Sequence, residues 1–118
     1  MSAHEAQALS AIAFQLAATL DGYRQDMAAM VGAGFDPELY RRVSGHMDDM
    51  RMYAADLPPL SVAWVEVLIS HFELTHGFWR VQKEGAASAD LRLLHGHLDD
   101  AVQRLSRKCV LQMQMRAA

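Results

Sequence analysis

Six histidines are the residues of this chain with the widest chemical reach, because a neutral imidazole can ligate a metal, hold a haem or move a proton at ordinary pH. His46 stands in an apolar stripe between Val43 and Met50, and His71 stands within an apolar arc with Leu68 and Thr75 as neighbours. His76 and His95 fall at the edges of such stripes. His4 and His97 point outward. If the stretches carrying them are helices running up and down, the rise of about 1.5 Å per residue lets their heights be compared. His46 and His71 then share one layer and His76 and His95 a second, about one turn away, with Asp21 and Asp26 at roughly the same two depths. Inward residues at matching depth are how helical bundles hold metal ions and haem.

On that reading the ligands are His46 and His71 first, then His76, Glu73 and His95, and the cofactor is a metal ion or haem. The pattern is incomplete. A di-iron carboxylate bundle needs a Glu-x-x-His pair on each of two helices, and Glu73-Leu-Thr-His76 is one such pair without a second. His95 and Asp100 have the spacing of one hemerythrin-like ligand pair, and the other spacings are missing. In His76-Gly77-Phe78-Trp79-Arg80, bulky rings sit where a phosphotransfer histidine needs open access. Neutral core histidines bonded to neighbours explain the same positions more simply, so the leading reading carries no cofactor.

The other reactive groups have plain explanations. Met27, Met30, Met47 and Met50 recur at helical spacing, which is core packing rather than a thioether copper site. The single cysteine, Cys109, sits in the centre of a stripe as a buried thiol. No G-x-S-x-G, phosphate-binding loop or G-x-G-x-x-G is present, so no catalytic constellation is visible. An enzyme is the less favoured class.

The elements that must position these residues are helices. Gly32 and Gly34, Pro58-Pro59 and Gly85 divide four stretches rich in alanine, leucine and methionine. Ser2 and Glu5 have capping-box spacing, and Leu9, Ala13, Leu16, Leu20, Tyr23, Met27 and Met30 follow in steps of four and three. Asp36 caps the second helix with Pro37 at its first position, Phe35 staples onto Tyr40, and Leu39, Val43, Met47, Met50, Ala54 and Leu57 form its stripe. Ser61 is the expected cap of the third, which runs to about Lys83. The fourth starts near Ser88 and carries Leu91, Leu94, Leu98, Val102, Leu105, Cys109 and Met113. Short connections between four such helices predict an all-α, antiparallel up-down four-helix bundle, one domain over 1–118.

Composition bounds the function. Apolar residues make up 52% and charged residues 21% of the 118, which is globular, and a net charge of −3 argues against nucleic acid as partner. The apolar segment from Ala6 to Leu20 lacks a basic flank and is interrupted by Gln7, Ser10, Gln15 and Thr19, so it does not read as a signal peptide. No apolar run is long enough to span a membrane, and a soluble cytoplasmic protein is expected.

The third helix is unusual. At about 100° per residue its polar residues Glu66, Ser70, Glu73, Gly77, Arg80 and Glu84 fall in one stripe about 80° wide. The apolar remainder is roughly twice what an edge helix needs. A homodimer through Trp64, Phe72, Phe78 and Trp79 is the expected consequence, and a non-enzymatic, self-associating interaction or regulatory protein the expected function.

Overall fold

A computed structural model describes residues 2–84 and 88–114. Four helices follow in order: α1 (Ala3–Ala33), α2 (Pro37–Ala55), α3 (Ser61–Glu84) and α4 (Ser88–Gln114), with a 3₁₀ turn at Pro58–Leu60 between α2 and α3. The architecture is the expected four-helix bundle. The stop expected at Gly85 lies outside the described residues, as do the side chains of Ser88 and Ala89.

The helix ends follow local chemistry. The Ser2 hydroxyl accepts from the Glu5 backbone N–H at 3.1 Å, and an Asp36 carboxylate oxygen accepts from the N–H groups of Glu38 and Leu39. Pro37, which has no N–H to leave unpaired, occupies the first turn of α2. The Phe35 and Tyr40 rings pack at 5.5 Å, so the staple forms. At the end of α1, Gly34 takes φ 99°, a left-handed value that side chains resist, and its N–H closes onto the Met30 carbonyl. The start of α3 differs from expectation. Ser61 is already helical, with φ −62° and ψ −39°, because the 3₁₀ turn leads straight into the helix. A residue with helical dihedrals is not an N-cap, so Ser61 does not have the expected role.

The seams meet as the spacing required. Ala13, Leu16, Leu20, Tyr23, Met27 and Met30 of α1 pack in one core with Val43, Met47, Met50 and Ala54 of α2 and with Leu91, Leu98, Val102, Leu105 and Cys109 of α4. The four methionines singled out above are core residues. Cys109 is buried too, and burial pushes its thiol up to about 11, which keeps it unreactive.

Neighbour relations around the bundle are uneven. α1 packs along α2 and α4, and α4 packs along α3, whereas α2 and α3 make little contact with each other. The molecule measures 54 × 23 × 18 Å. Among the described residues α3 therefore has one full-length neighbour, and no helix runs along one of its sides.

Candidate functional site

The histidines do not assemble. Among the described residues no three His, Cys, Asp or Glu side chains come together as a metal site. His46 and His71 reach separate partners on α1 instead of each other. His71 Nδ1 lies 2.8 Å from the Tyr23 hydroxyl, while His46 Nε2 lies 3.2 Å from Asp26 Oδ2. Tyr23 and Asp26 are about one turn apart on α1, and each ring is already bonded. His95 lies 4.0 Å from Asp99 of its own helix, and His76 is exposed and stacked on Trp79 with ring centroids 5.7 Å apart. The expected ligands His46, His71, His76, His95 and Glu73 therefore lie in different surroundings and do not come together as one set.

Tyr23 and His71 form a polar bridge across the diagonal of the bundle. Burial pushes the Tyr23 hydroxyl pKa up, so it stays protonated, and burial pushes His71 down to about 4, so its ring is neutral at pH 7. With no other partner for its proton, the tyrosine donates and Nδ1 accepts, which places the imidazole hydrogen on Nε2. Among the described residues no buried side-chain nitrogen or oxygen lacks a partner, so Nε2 keeps contact with solvent. This arrangement satisfies two buried polar groups, and among the described residues no charged side chain bonds to either ring.

His46 sits in an ion cluster between α1 and α2. Asp26 accepts from Arg42 at 2.6 Å as well as facing His46, and the Arg42 guanidinium holds its carboxyl below the usual range. Gly22 makes the approach possible, since a Cβ there would lie 3.2 Å from the His46 ring. These contacts tie α1 to α2.

The aromatic set divides. Trp64 and Phe78 are only 8% and 6% exposed and belong to the core of the chain itself. Of the four residues expected at an interface, these two face the bundle, which already covers them. Phe72 and Trp79 are 57% and 49% exposed. The broad apolar arc of α3 is thus two faces. One, with Ala63, Trp64, Val67, His71, Leu74 and Phe78, is buried. The other, Val62, Val65, Ile69, Phe72, His76 and Trp79, stands in solvent. The narrow polar stripe borders α4, where Glu66 accepts from Arg104 at 3.0 Å and Gly77 lets Leu91 and Leu94 approach.

The outward residues follow in steps of three, four, three, four and three. That is the spacing of a seam made for another helix. Sequence reasoning identified the wide arc but not this second seam, although the spacing of Val62, Val65 and Ile69 carried the signal. It also saw Phe35 and Tyr40 as a staple alone. In the structure they face Phe72, Phe78 and Trp79 across the gap between α2 and α3, around a pocket of about 410 Å³. Among the described residues no helix is long and apolar enough to cross a membrane. No family model, no curated protein and no solved structure matches this chain.

Proposed function

We propose that this chain is a non-enzymatic, self-associating helical protein, and that the outward seam of α3 joins it to a second copy of itself. The observation that carries the reading is the seam: six residues at coiled-coil spacing, five of them large apolar side chains left 46 to 72% exposed. Their combined exposed area is on the order of 500 Å², at the upper end of what a monomer shows. Two such faces brought together bury roughly 1,000 Å², enough for a specific if modest interface.

Charge favours like meeting like in the antiparallel sense. Glu66, Glu73 and Arg80 flank the seam at intervals of seven residues. In an antiparallel pair centred on Glu73, Glu66 of one copy is level with Arg80 of the second, and symmetry makes the pairing twice. In a parallel, in-register pair, like charges are level instead. Glu66 uses Oε2 for Arg104 and retains its other oxygen for the second copy. The two Glu73 carboxylates near the axis oppose this arrangement, so the interface is one of moderate affinity.

Sedimentation velocity across a range of concentrations tests the proposal. The wild type should reach twice the chain mass, while Ile69→Glu and Trp79→Glu should remain helical and sediment as monomers. A wild type that stays monomeric at the highest concentration, or a dimer that both variants preserve, overturns it.

A further inference from the structure

We infer that the pocket between the start of α2 and the second half of α3 binds a planar aromatic anion. Its volume, about 410 Å³, lies within the range of small-molecule sites and suits a fused ring of two or three members. Two elements build it. Phe35 and Tyr40 come from the stapled start of α2, and Phe72, Phe78 and Trp79 come from α3. Their faces and edges offer stacked and tilted contacts to a flat guest. The cavity exists because α2 and α3 make little contact, so these rings have no helix between them to fill the space.

The polar groups set the sign of the guest. No carboxylate lines the pocket. The Lys83 ammonium lies 4.7 Å from the centroid of the Trp79 ring and makes no ion pair among the described residues. Lys83 is not itself a lining residue, but its charge sits over the Trp79 wall, so an anionic guest beside that ring gains a nearby cation, whereas a cationic guest meets repulsion with no lining carboxylate to balance it. Thr75 spends its proton on the His71 and Phe72 carbonyls at 3.0 and 3.1 Å, leaving Gln82 as the amide donor at the rim. This site does not depend on the self-association reading, although a guest and a second copy would compete where the two surfaces overlap. It shares Phe72, His76 and Trp79 with the seam, but Phe35, Tyr40 and Gln82 belong to the pocket alone and Ile69 to the seam alone.

Titration calorimetry of the full chain with 2-naphthoate tests the inference, alongside trimethylphenylammonium as a cation of similar size and backbone amide shifts at Thr75, His76 and Gln82 as a map. Binding of 2-naphthoate should saturate at one per chain with a Kd below about 1 mM, and the cation should bind at least about tenfold more weakly. Tyr40→Ala removes one aromatic wall from a partly exposed position and should weaken 2-naphthoate binding by about tenfold. Lys83→Gln should weaken it severalfold and erase the preference for the anion. Ile69→Glu, which releases Phe72 and Trp79 from the proposed seam without touching the pocket, should leave binding as tight as in the wild-type monomer, or tighter where the wild type is paired. Absence of saturable binding at 1 mM, a preference for the cation, or loss with Ile69→Glu but not with Tyr40→Ala overturns the site.

Discussion

The two apolar faces of α3 are built from the same kinds of residue and meet opposite fates. The inward face holds Trp64, Val67, Leu74 and Phe78; the outward face holds Val62, Val65, Ile69, Phe72 and Trp79. Each pairs aromatic with aliphatic side chains, and each includes a histidine. Yet His71 is bonded to a buried tyrosine and held neutral, while His76 lies in the open against an indole. Hydrophobicity alone does not distinguish the faces. What distinguishes them is that α4 and the diagonal α1 cover one, whereas among the described residues no helix runs along the other, which only the start of α2 approaches across the pocket. An apolar face with no partner in its own chain is where a partner outside the chain has most to gain.

The sharpest way to break this comparison is to truncate one ring on each face. Phe78→Ala empties core space and should cost about 3 to 5 kcal/mol in a urea unfolding experiment. Phe72→Ala, measured at concentrations low enough to hold the chain monomeric, should change stability by no more than about 0.5 kcal/mol. Equal losses at the two positions would mean that the outward face is covered within the monomer.

His71 on the inward face gives a second test, by pH. His71 has a folded pKa near 4, below the ordinary value of about 6.5 for the unfolded chain. The unfolded state therefore binds the extra proton between these values. The contribution is fully present above about pH 6.5, declines as pH falls towards 4, and amounts to about 3 kcal/mol at most. His71→Gln keeps an acceptor for the Tyr23 hydroxyl and does not titrate, so its stability should change less over that interval than the wild type's. Paired denaturant titrations at pH 7 and pH 4.5 read the difference. Identical pH dependence in the two proteins would show that His71 is not the group responsible.

A smaller effect sharpens the orientation of the proposed pair. In an antiparallel dimer the Glu73 carboxylates approach each other, so Glu73→Gln should tighten association severalfold at low salt, and added salt should shrink the gain. No change in the dimer constant would move the axis away from Glu73.

Much of the fold was legible because it is local. Ser2, Asp36 with Pro37, and Gly34 mark helix ends through hydrogen bonds and dihedrals that involve residues a few positions away. The steps of four and three from Leu9 to Met30 and from Leu91 to Cys109 identify buried faces, since 3.6 residues per turn brings such positions onto one side. Ser61 was less legible: whether a 3₁₀ turn that begins with two prolines runs directly into a helix depends on how Leu57 and Leu60 are buried. The polar bridge was hidden too. Tyr23 reads as one more seam residue, and its bond to His71 spans 48 positions.

Amino-acid order by itself determined that this chain forms four amphipathic helices, where α1 starts and stops and where α2 starts, and that α3 is apolar around most of its circumference. Periodicity and capping are short-range, so they are written in neighbouring residues. Tertiary structure decided which of two equally apolar faces of α3 lies inside, which histidine meets Tyr23 and which meets Asp26, and that Phe35 and Tyr40 face Trp79 across a gap. Those outcomes depend on which helices become neighbours, a competition among whole faces for burial that no single stretch of sequence contains.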